Sequence, residues 1–554
     1  MKLLIYGYNG WIGSQFIDQC KKEKIEYYCG TIHCENTIEL MDEIETINPT
    51  HIVSFIGRTH GDNFTTIDYL EQPGKLDINI RDNLYSPLSL AIICKDRNIH
   101  YTYLGTGCIF EYDEQHTLNQ NLFTEQSLPN FKGSSYSTIK GYTDQLMHLF
   151  ETSVLNLRIR MPIVSFDHPR NFITKIVNYE NVCSIQNSMT VLDEFIPIFL
   201  DMIKNSRTGT YNCTNPGTIE HNEILQMYKE IVNPEFTWKN FTIEEQDKIL
   251  LGKRSNNHLD TSKIKQIYPH LKDIKTSVRE CLYKIILGNW KNDIIAKNVA
   301  FCNDKPFEHI VIDNFFEQNF AERLYTNFPC QYDKDWFLYW NPIEKKYAMN
   351  NFENKHVYSS LFNMLQTTEF IDYIKKITGI QELEKDPHLH GAGLHFHPRG
   401  GKLDMHLDYS IHPITKKERR INLIIYLNKD WIEDYNGDIQ LWDKDFKLPV
   451  VKVYPVFNRA VLFKTSDISY HGLPQPIACP DGLGRKSIAI YYVSNARENI
   501  NHRFKAQFRP LPWQPVSTKL LELYKIREER TIKDDDLTRI YPNWKEEGYG
   551  FWNI

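Results

Sequence analysis

The sequence predicts two domains of different fold class, an α/β doubly wound domain followed by a mostly β domain of the sandwich or jelly-roll type with flanking helices. Three observations support this prediction. The chain has 554 residues, which is more than one hydrophobic core normally serves. Strand-like and helix-like segments alternate in the first half, as is typical of a parallel sheet. Short β-type runs separated by turns fill most of the second half.

The composition is that of a globular protein and limits the classes of partner. Hydrophobic residues make up 41% of the chain, charged residues 24%, and the formal net charge is −6. No broad cationic field for nucleic acid is therefore expected. The eleven cysteines form no CxxC pair, which favours a reducing compartment over a disulfide framework or zinc ribbon. Since we find neither a signal peptide nor an apolar segment of membrane-spanning length, we expect a cytoplasmic protein.

The first predicted element is a buried strand over residues 2–6, followed by a glycine-rich turn and a helix. The glycines are spaced as GxxGxxG. Glycine lets such a turn press against a pyrophosphate, whose charge is favoured by the start of the helix. Because tight turns also collect glycine, this motif alone is a weak signal. The residues of the turn that we expect to bind a cofactor are Gly7, Gly10, Trp11, Ile12 and Gly13.

The alternation continues through THIVSFIG, SPLSLAIICKDRN, HYTYLGTG and YSTIKGYTDQLMHLF, which predicts a Rossmann-like sheet. Tyr136 and Lys140 lie four residues apart on a predicted helix and so share a face. Thr106 ends the preceding strand, at the edge where open parallel sheets bind ligands. A phenol with a pKa of roughly 10 is a slow acid at neutral pH, and a nearby ammonium makes its anion easier to form. The trio predicts a carbonyl reductase site.

The first domain, over roughly its first 285 residues, resembles the extended short-chain dehydrogenase/reductases through GYNGWIG and YSTIK. LIYGYNGWIG, GTGCIFEYD, YSTIKG and PRNFITKI look more narrowly like the UDP-4-keto-6-deoxyglucose 3,5-epimerase/4-reductases, which are similar to dTDP-4-dehydrorhamnose reductase. The resemblance implies that Thr106 holds the 4-keto oxygen of a nucleotide sugar and that Tyr136 protonates it. It places Lys140 on the nicotinamide ribose, with Tyr136 also beside the cofactor, and Asn83 on a helix beneath the site. The expected product is UDP- or dTDP-L-rhamnose.

The same resemblance assigns Cys108 and Lys175 to epimerisation. Inversion at C3 and C5 needs a base and an acid on opposite sides of a carbon that an adjacent ketone acidifies. The alternatives are a buried structural thiol at Cys108 and a solvated helix residue at Lys175. The TDE triplet of the related 4,6-dehydratases is absent, because Gly107 follows Thr106. We therefore expect the keto sugar to come from another enzyme.

The choice of nicotinamide cofactor depends on the second strand. KIEYYCG ends without an acidic residue suited to the adenosine ribose of NAD. This favours NADPH. Since no arginine marks a 2′-phosphate site clearly, NADH stays an alternative.

The predicted boundaries follow from changes in residue pattern. SVRECLYKIILGNW reads as an amphipathic helix that closes the first domain, at residues 1–289, and residues 290–306 then lack sustained periodicity and are interpreted as a linker. The runs RINLIIYLN, DIQLW, NRAVLF and KSIAIYYV indicate strands of a second domain over residues 307–498. Residues 499–554 are predicted to form one charged helix and an aromatic tail.

A candidate metal site lies in the second domain. His406 and Asp408 form an HxD pair whose side chains share one face of a strand, and His471 is predicted in a turn after AVLFKTS. Two imidazoles and one carboxylate can bind one face of Fe(II) and leave positions open for a co-substrate and O₂. Zinc also accepts these ligands and remains an alternative. Histidines without this spacing are His388, His390, His395, His397 and His412.

Arg485 and Ser487 follow on a predicted strand, where a planar guanidinium can grip the distal carboxylate of 2-oxoglutarate. Residues 307–494 resemble the prolyl-4-hydroxylase-like Fe(II)/2-oxoglutarate oxygenases through GGKLDMHLDYSIHP, ERRINLIIYLNKDW, FNRAVLFKTSDISYHG and RKSIAIYYVS. The resemblance implies a double-stranded β-helix that uses Fe(II), 2-oxoglutarate and O₂ to hydroxylate a substrate. The interval PQPIACPDGLG before the arginine is longer than in many members. The alternative is that Arg485 forms a surface ion pair and Lys486 or another cation binds the carboxylate.

Three hypotheses of function follow. The first is a bifunctional enzyme that makes a nucleotide-linked rhamnose and hydroxylates an unidentified acceptor, which is a sugar, glycan or peptide. The second is a protein prolyl or lysyl hydroxylase joined to a reductase. The third is a non-catalytic sugar-nucleotide-binding domain in the first half, which the complete reductase trio disfavours. We expect no nucleic-acid or membrane partner and leave a homodimer open.

Overall fold

The chain divides into two units, each with its own sheet and apolar core. The computed structural model describes residues 1–61, 64–353 and 355–546. Unit 1 comprises Met1–Glu230 and Glu235–Lys284, and unit 2 comprises Ile231–Pro234 and Ile285–Ile554. Residues 547–554, the end of the predicted aromatic tail, lie outside the described residues.

Unit 1 is built on a parallel sheet of six strands in the order β2-β1-β3-β4-β5-β8, and β6 pairs separately with β7. This confirms the predicted α/β class. The order changes direction at β1, so that a crevice forms where β1 and β3 end. The strands are β1 (Lys2–Tyr6), β2 (Glu26–Cys29), β3 (His51–Ser54), β4 (His100–Thr106), β5 (Val154–Ile159), β6 (Pro162–Ile163), β7 (Thr190–Val191) and β8 (Gly209–Asn212).

Helices cover both faces of this sheet, because successive side chains of a strand point to opposite faces. Leu3 and Ile5 of β1 belong to one buried apolar cluster, and Leu4 and Tyr6 belong to another. The helices are α1 (Trp11–Lys22), α2 (Thr37–Ile47), α3 (Leu76–Ile80), α4 (Ser86–Asp96), α5 (Ser135–Met147), α6 (Phe172–Val177), α7 (Leu192–Lys204), α8 (His221–Ile231), α9 (Ile243–Ile249), α10 (Ser262–Ile267) and α11 (Ile274–Ile285).

Unit 2 contains an antiparallel sheet in the order β17-β16-β19-β14-β11-β13-β20-β15-β18-β9, to which β10, β12 and β21 add at β11, β20 and β14. The sheet is nearly closed, consistent with a jelly roll and with the predicted class. Its strands are β9 (His309–Ile312), β10 (Phe337–Trp340), β11 (Glu344–Met349), β12 (Glu384–Lys385), β13 (Gly393–Pro398), β14 (Lys402–Leu407), β15 (Glu418–Tyr426), β16 (Ile439–Trp442), β17 (Pro449–Val453), β18 (Arg459–Lys464), β19 (His471–Leu473), β20 (Gly484–Ser494) and β21 (Gln507–Phe508).

In the part of unit 2 that the structure describes, six helices flank this sheet, as the sequence predicts for the second half. Within the described part of the chain, no helix is long and apolar enough to cross a bilayer. The helices are α12 (Ile294–Asn303), α13 (Gln318–Thr326), α14 (His356–Leu365), α15 (Thr368–Thr378), α16 (Thr518–Glu529) and α17 (Asp534–Ile540).

Two segments differ from the sequence prediction. Helix α12 occupies most of the segment interpreted as a linker, and the Asp293 carboxylate caps its start by accepting the N–H of Ala296 at 3.4 Å. The described part of the C-terminal segment, residues 499–546, forms two helices where the sequence predicts one. The chain is extended at Arg530, and the Asp536 carboxylate then accepts the backbone N–H of Lys533 at 2.9 Å, so that a new helix begins.

Candidate active sites

One cavity of about 380 Å³ in unit 1 collects nearly all of the predicted reductase residues. Gly7 contributes through its backbone instead, since its carbonyl oxygen accepts the N–H of Gly10 at 3.0 Å. The predicted residues that line the cavity are Gly10, Trp11, Ile12, Gly13, Asn83, Thr106, Cys108, Tyr136, Lys140 and Lys175.

The glycine turn is shaped for close approach of a ligand. Gly7 has a φ of +72°, and a Cβ atom on Gly13 would lie 2.3 Å from the Gly7 carbonyl oxygen. Helix α1 starts at the cavity, and no side chain among the described residues caps its first N–H groups, which suits an anion. The indole Nε1 of Trp11 is buried without a hydrogen-bond partner in the described structure. These features fit the diphosphate and polar groups of a dinucleotide.

Thr106 ends β4, and Tyr136 and Lys140 project from α5. Burial raises the pKa of Tyr136, and the Cys108 side chain raises it further, while a hydrogen bond with Thr106 lowers it. Burial lowers the pKa of Lys140 to about 7. The Lys140 ammonium donates to the phenol oxygen of Tyr103. Tyr103 is a residue that the sequence reasoning missed, although it lies on the same strand as Thr106.

Asn83 lies in a π-helical turn, Arg81–Tyr85. Its side chain accepts the backbone N–H of Arg58 and donates to the carbonyl of Arg58, both at 3.0 Å. The carbonyl of Asn83 accepts the hydroxyl of Thr143 on α5 at 2.7 Å. Asn83 therefore ties the loop after β3 to the helix that carries Tyr136.

Cys108 and Lys175 reach the cavity from separate elements. Cys108 follows β4 and packs against a buried cluster that includes Tyr69 and Tyr136. Lys175 lies on α6, and its ammonium donates to the carbonyl of Thr65 at 3.2 Å. Burial, with smaller effects from two neighbouring arginines, lowers the pKa of Lys175 to about 8. Three cavity arginines were not singled out from the sequence, namely Arg160, Arg170 and Arg254.

In unit 2, His406, Asp408 and His471 come together. One ligand atom from each residue lies within 4.8 Å of the other two. The Nε2 atom of His406 is 3.7 Å from Asp408 Oδ1, and the Nε2 atom of His471 is 3.3 Å from Asp408 Oδ2. His471 is the first residue of strand β19, not part of a turn as predicted, because it pairs with His406 on β14.

The hydrogen bonds of the two histidines leave Nε2 free to bind a metal. Nδ1 of His406 is 2.9 Å from the carbonyl oxygen of Asp404, and Nδ1 of His471 is 2.9 Å from that of Ser469. A carbonyl can only accept, so each Nδ1 carries the proton and each Nε2 offers a lone pair. This donor set fits Fe(II).

Asp408 is held as a carboxylate. Its Oδ2 accepts the amide of Asn422 at 2.7 Å and lies 3.0 Å from the guanidinium of Arg419. Burial acts to raise the pKa of Asp408, but Arg419 and the ligand histidines bring it well below its usual range. An anionic ligand is therefore present before any metal binds.

His412, one of the histidines outside the HxD pair, is not suited to bind a metal. His412 accepts the backbone N–H groups of Ile414 and Thr415 at Nδ1, both at 3.1 Å. Its Nε2 must then carry the proton, and it faces Asp386 at 3.2 Å, so His412 offers no metal lone pair. Within the described residues, the group of His406, Asp408 and His471 alone meets the geometry of a metal site.

Arg485 is buried in unit 2. Its Nε donates to the carbonyl of Gly437 at 2.8 Å, and its Nη1 donates to the hydroxyl of Ser487 at 3.2 Å. No acidic side chain of the described residues forms an ion pair with it. The alternative cation, Lys486, lies on the opposite face of β20, with its ammonium 4.3 Å from the ring centre of Tyr325.

Unsatisfied polar groups surround Arg485. Strand pairing places His397 opposite Arg485 and Tyr426 opposite Ser487. Both ring nitrogens of His397 are buried without a hydrogen-bond partner in the described structure. The buried hydroxyl of Tyr426 has no partner of regular geometry there, and it lies within interaction range of the Arg485 guanidinium. Each such group costs about 1–3 kcal/mol. The surroundings of Arg485 therefore fit a polar, anionic group such as the distal carboxylate of 2-oxoglutarate, and Tyr426 was missed from the sequence.

Comparison with known proteins relates unit 1 to enzymes of rhamnose synthesis. The chain is 50% identical over 285 residues to protein L780 of Acanthamoeba polyphaga mimivirus, covering 51% of this chain and 99% of the relative. The crystal structure of L780 is described as that of a UDP-rhamnose synthase. Its match covers 51% of this chain and 99% of L780, with a TM-score of 0.50. The bifunctional dTDP-4-dehydrorhamnose 3,5-epimerase/dTDP-4-dehydrorhamnose reductase of Arabidopsis thaliana is 44% identical over 283 residues. This match covers 51% of this chain and 92% of the relative.

Unit 2 matches a different family. The model of the 2OG-Fe(II) oxygenase superfamily matches residues 392–493, a range that contains the three candidate metal ligands and Arg485. Mouse prolyl 3-hydroxylase OGFOD1 is 27% identical over 235 residues, covering 41% of this chain and 40% of the relative. Both resemblances drawn from the sequence motifs are thereby confirmed.

Proposed function

The chain belongs, through unit 1, to the family of the bifunctional dTDP-4-dehydrorhamnose 3,5-epimerase/reductases, and we propose that unit 1 converts a nucleotide 4-keto-6-deoxyglucose into the corresponding L-rhamnose. The chain is thus a reductase/epimerase fused to a 2-oxoglutarate-dependent dioxygenase domain. UDP is the preferred nucleotide of the proposal, because the relative with 50% identity is described as a UDP-rhamnose synthase.

The proposal for unit 1 is based on one observation, that all five predicted catalytic residues line the same cavity. Thr106, Tyr136 and Lys140 line it together with Cys108 and Lys175. A module that only bound a sugar nucleotide would need neither a proton donor beside a lysine nor a second acid and base. The grouping therefore supports catalysis over the binding-module hypothesis.

In the proposed reaction, NADPH supplies the hydride when it is bound. Tyr136 donates its phenolic proton to the oxygen of the 4-keto group, and the Thr106 hydroxyl orients that oxygen. Lys140 would contact the nicotinamide ribose; its side chain is buried, and its ammonium reaches the phenol oxygen of Tyr103 on β4. NADPH is preferred over NADH because β2 ends at Cys29 with no acidic residue there.

Mass spectrometry tests this activity directly. The purified chain is incubated with UDP-4-keto-6-deoxyglucose and NADPH, and we expect a product two hydrogens heavier than the substrate. The Tyr136→Phe variant should leave the keto sugar unreduced. Failure of the wild-type protein to consume either the keto sugar or NADPH would refute the rhamnose proposal.

For unit 2 we propose hydroxylation of an acceptor. His406, Asp408 and His471 would hold Fe(II), and Arg485, Ser487 and Tyr426 would hold the distal carboxylate of 2-oxoglutarate. Fe(II), 2-oxoglutarate and O₂ supply the oxidising chemistry when they are bound. The observation that supports a dicarboxylate co-substrate is the buried guanidinium of Arg485, which donates only to neutral groups and has no acidic partner among the described residues.

The proposed acceptor is the sugar product of unit 1 or a glycan that contains it, because one chain carries both of the domains to which these activities are assigned. A peptide proline is the second candidate, since part of unit 2 is similar to a prolyl 3-hydroxylase. Adding Fe(II) and 2-oxoglutarate to the mass-spectrometric assay, with proline peptides present, distinguishes the two candidate acceptors. A further oxygen on the nucleotide sugar supports the first acceptor, whereas hydroxylation of proline peptides without change in the sugar supports the second.

A further inference from the structure

The C-terminal segment joins the sheet of unit 2 beside a candidate metal ligand. Strand β21 of this segment pairs antiparallel with β14, so that Phe508 lies opposite His406. The N–H of Arg509 donates to the carbonyl of Met405 at 2.8 Å. The model of the oxygenase family matches residues 392–493, and β21 lies beyond that range. The surroundings of His406 are therefore built partly from a segment that the family match does not include.

The side chain of Phe508 contacts the imidazole of His406. The two rings are stacked, with their centres 5.0 Å apart and their planes at 28° to each other. Phe508 is buried, and so is Tyr524 of α16, whose ring lies parallel to that of Phe508 at a centre distance of 6.3 Å. Close-packed neighbours restrict the rotation of a buried ring. Helix α16 thus supports Phe508, and Phe508 limits the orientations open to the His406 ring.

Tyr524 also reaches His406 through Asp404. Its hydroxyl donates to Oδ2 of Asp404 at 2.8 Å, and the Lys402 ammonium lies 2.7 Å from Oδ1. Both oxygens of this buried carboxylate are therefore engaged. The backbone carbonyl of Asp404 accepts the N–H at Nδ1 of His406 at 2.9 Å. Because a hydrogen bond at the far nitrogen orients a ligand imidazole, the bond from Tyr524 holds the residue that aims Nε2 of His406.

An ion pair anchors α16 to the sheet. Nε of Arg527 donates to Oε1 of the buried Glu344 at 2.9 Å, whereas the Lys346 ammonium lies 4.0 Å from Oε2. Leaving a buried carboxylate without its closest cation is strongly destabilising. Glu344 lies opposite Leu403 on β14. The ion pair therefore holds the helix close to the strand that carries His406.

We propose that the C-terminal segment completes the metal site of unit 2, with Phe508 and Tyr524 as positioning residues for His406. Both act through the imidazole and not on the metal itself. Phe508 restricts the ring, and Tyr524 holds the residue whose carbonyl fixes its tautomer. This inference rests on the proposed function of unit 2, in which His406 binds Fe(II) together with Asp408 and His471. It adds that these ligands need β21 and α16 in place to bind a divalent cation at full affinity.

Titration of the metal-free full-length protein with Co(II) tests the inference without catalysis. Co(II) is the probe because its visible absorption reports the ligands around the ion. Tyr524→Phe keeps the ring against Phe508 but removes the hydroxyl that holds Asp404. We expect the dissociation constant for Co(II) to rise about tenfold, as is typical when an outer partner of a metal ligand is lost. Phe508→Leu keeps an apolar side chain without the stacked ring and should also weaken binding.

Tyr358→Phe is the matched control. Tyr358 is buried in unit 2, and its hydroxyl donates to the carbonyl of Leu324, so that the bond links α14 to α13. The control thus also loses a buried hydrogen bond, and its melting temperature should fall by a similar amount. It should nevertheless bind Co(II) like the wild type. Wild-type affinity in folded Tyr524→Phe, or an equal loss of affinity in Tyr358→Phe, would overturn the inference.

Proton NMR of the Co(II)-loaded protein separates positioning from general stability. Each ligand imidazole carries one exchangeable proton at Nδ1, and the paramagnetic ion shifts both signals away from the rest of the spectrum. Tyr524→Phe should move the signal of His406 and leave that of His471, which bonds to the carbonyl of Ser469, in place. A smaller folded fraction would weaken both signals without moving either. Two signals at their wild-type positions would therefore contradict the proposed role of Tyr524.

Failure of this inference and failure of the proposed function give different results. If the wild-type protein neither binds Co(II) nor decarboxylates 2-oxoglutarate in the presence of Fe(II), the proposed function of unit 2 fails. If the wild-type protein does both, and the variants of Phe508 and Tyr524 match it in Co(II) affinity, the metal site stands. In that case only the positioning role of the C-terminal segment is excluded.

Discussion

Burial has opposite effects on the two central side chains of α5. It raises the pKa of Tyr136 and lowers the pKa of Lys140 to about 7. In both cases the neutral form is favoured, because burial penalises charge. Tyr136 therefore keeps the proton that the proposed reduction requires, and Lys140 depends on nearby negative charge to remain an ammonium at neutral pH.

Replacing Tyr136 with phenylalanine removes this proton donor. We expect the rate of keto reduction to fall by a factor of about 10²–10⁴, measured as NADPH oxidation in a single turnover. Tyr142→Phe is the matched control, because Tyr142 lies on the same helix but is exposed, and it should retain the wild-type rate. Equal rates for the two variants would contradict the assignment of Tyr136.

The lowered pKa of Lys175 predicts an upper pH limit on the proposed epimerisation. Its pKa is lowered to about 8, and it must be protonated to act as the acid. Deuterium exchange at C3 and C5 should therefore decline as pH rises through about 8, where the ammonium loses its proton. Lys175→Met should lower the exchange rate and remove this alkaline decline. An unchanged decline in that variant would assign it to another group.

Asp408 supplies the anionic ligand of the proposed iron site. Asp408→Ala should abolish 2-oxoglutarate decarboxylation, measured as succinate or CO₂ release, because two neutral imidazoles alone hold Fe(II) weakly. Asp481→Ala, at a residue of unit 2 whose side chain is 93% exposed, should leave it intact. Decarboxylation that persists in the Asp408 variant would exclude the predicted triad.

The sequence predicts the metal ligands better than it predicts their surroundings. The HxD spacing is informative because side chains two apart on a strand share a face. Tyr426 and His397 carry no such local signal. Their roles depend on which strands become neighbours, as when β13 and β15 both pair with β20, and pairing between distant segments is not encoded in local spacing.

At the scale of elements, the glycine turn between β1 and α1 depends on close backbone packing. A Cβ atom on Gly13 would lie 2.3 Å from the carbonyl oxygen of Gly7, so Gly13→Ala must shift the turn. We expect a loss of NADPH affinity, measured by fluorescence titration, together with a lower melting temperature. Ser14→Ala, at the next and exposed position, should bind NADPH like the wild type. Wild-type affinity in Gly13→Ala would show that this turn does not hold the cofactor.

Elements with regular hydrophobic spacing could be predicted, whereas short elements could not. β4 and α5 follow the expected patterns, and the first sheet is confirmed as parallel. Helix α12 was missed because its sequence lacks an amphipathic period. It is stabilised by tertiary contacts, such as the hydrogen bond from the Asn298 amide to the carbonyl of Ile377 at 2.8 Å. The three residues of β19 are too few for any pattern.

At the scale of the whole molecule, the two candidate sites use different chemistry and lie in different units. Within the described residues, the cluster able to hold a metal belongs to unit 2, while the residues of the reductase cavity belong to unit 1. The proposed reduction uses a tyrosine proton and a nicotinamide hydride. The two activities should therefore respond independently to metal removal.

Chelation tests this independence. Treating the full-length protein with EDTA should abolish 2-oxoglutarate decarboxylation, because His406, Asp408 and His471 then lack the ion that they would jointly bind. NADPH-dependent reduction of the keto sugar should continue at its original rate. Adding Fe(II) back should restore decarboxylation in the wild-type protein but not in Asp408→Ala, which shows that recovery requires the triad. If reduction instead falls in parallel with decarboxylation and recovers with it, metal binding in unit 2 controls the chemistry of unit 1, and the proposal of two independent catalysts fails.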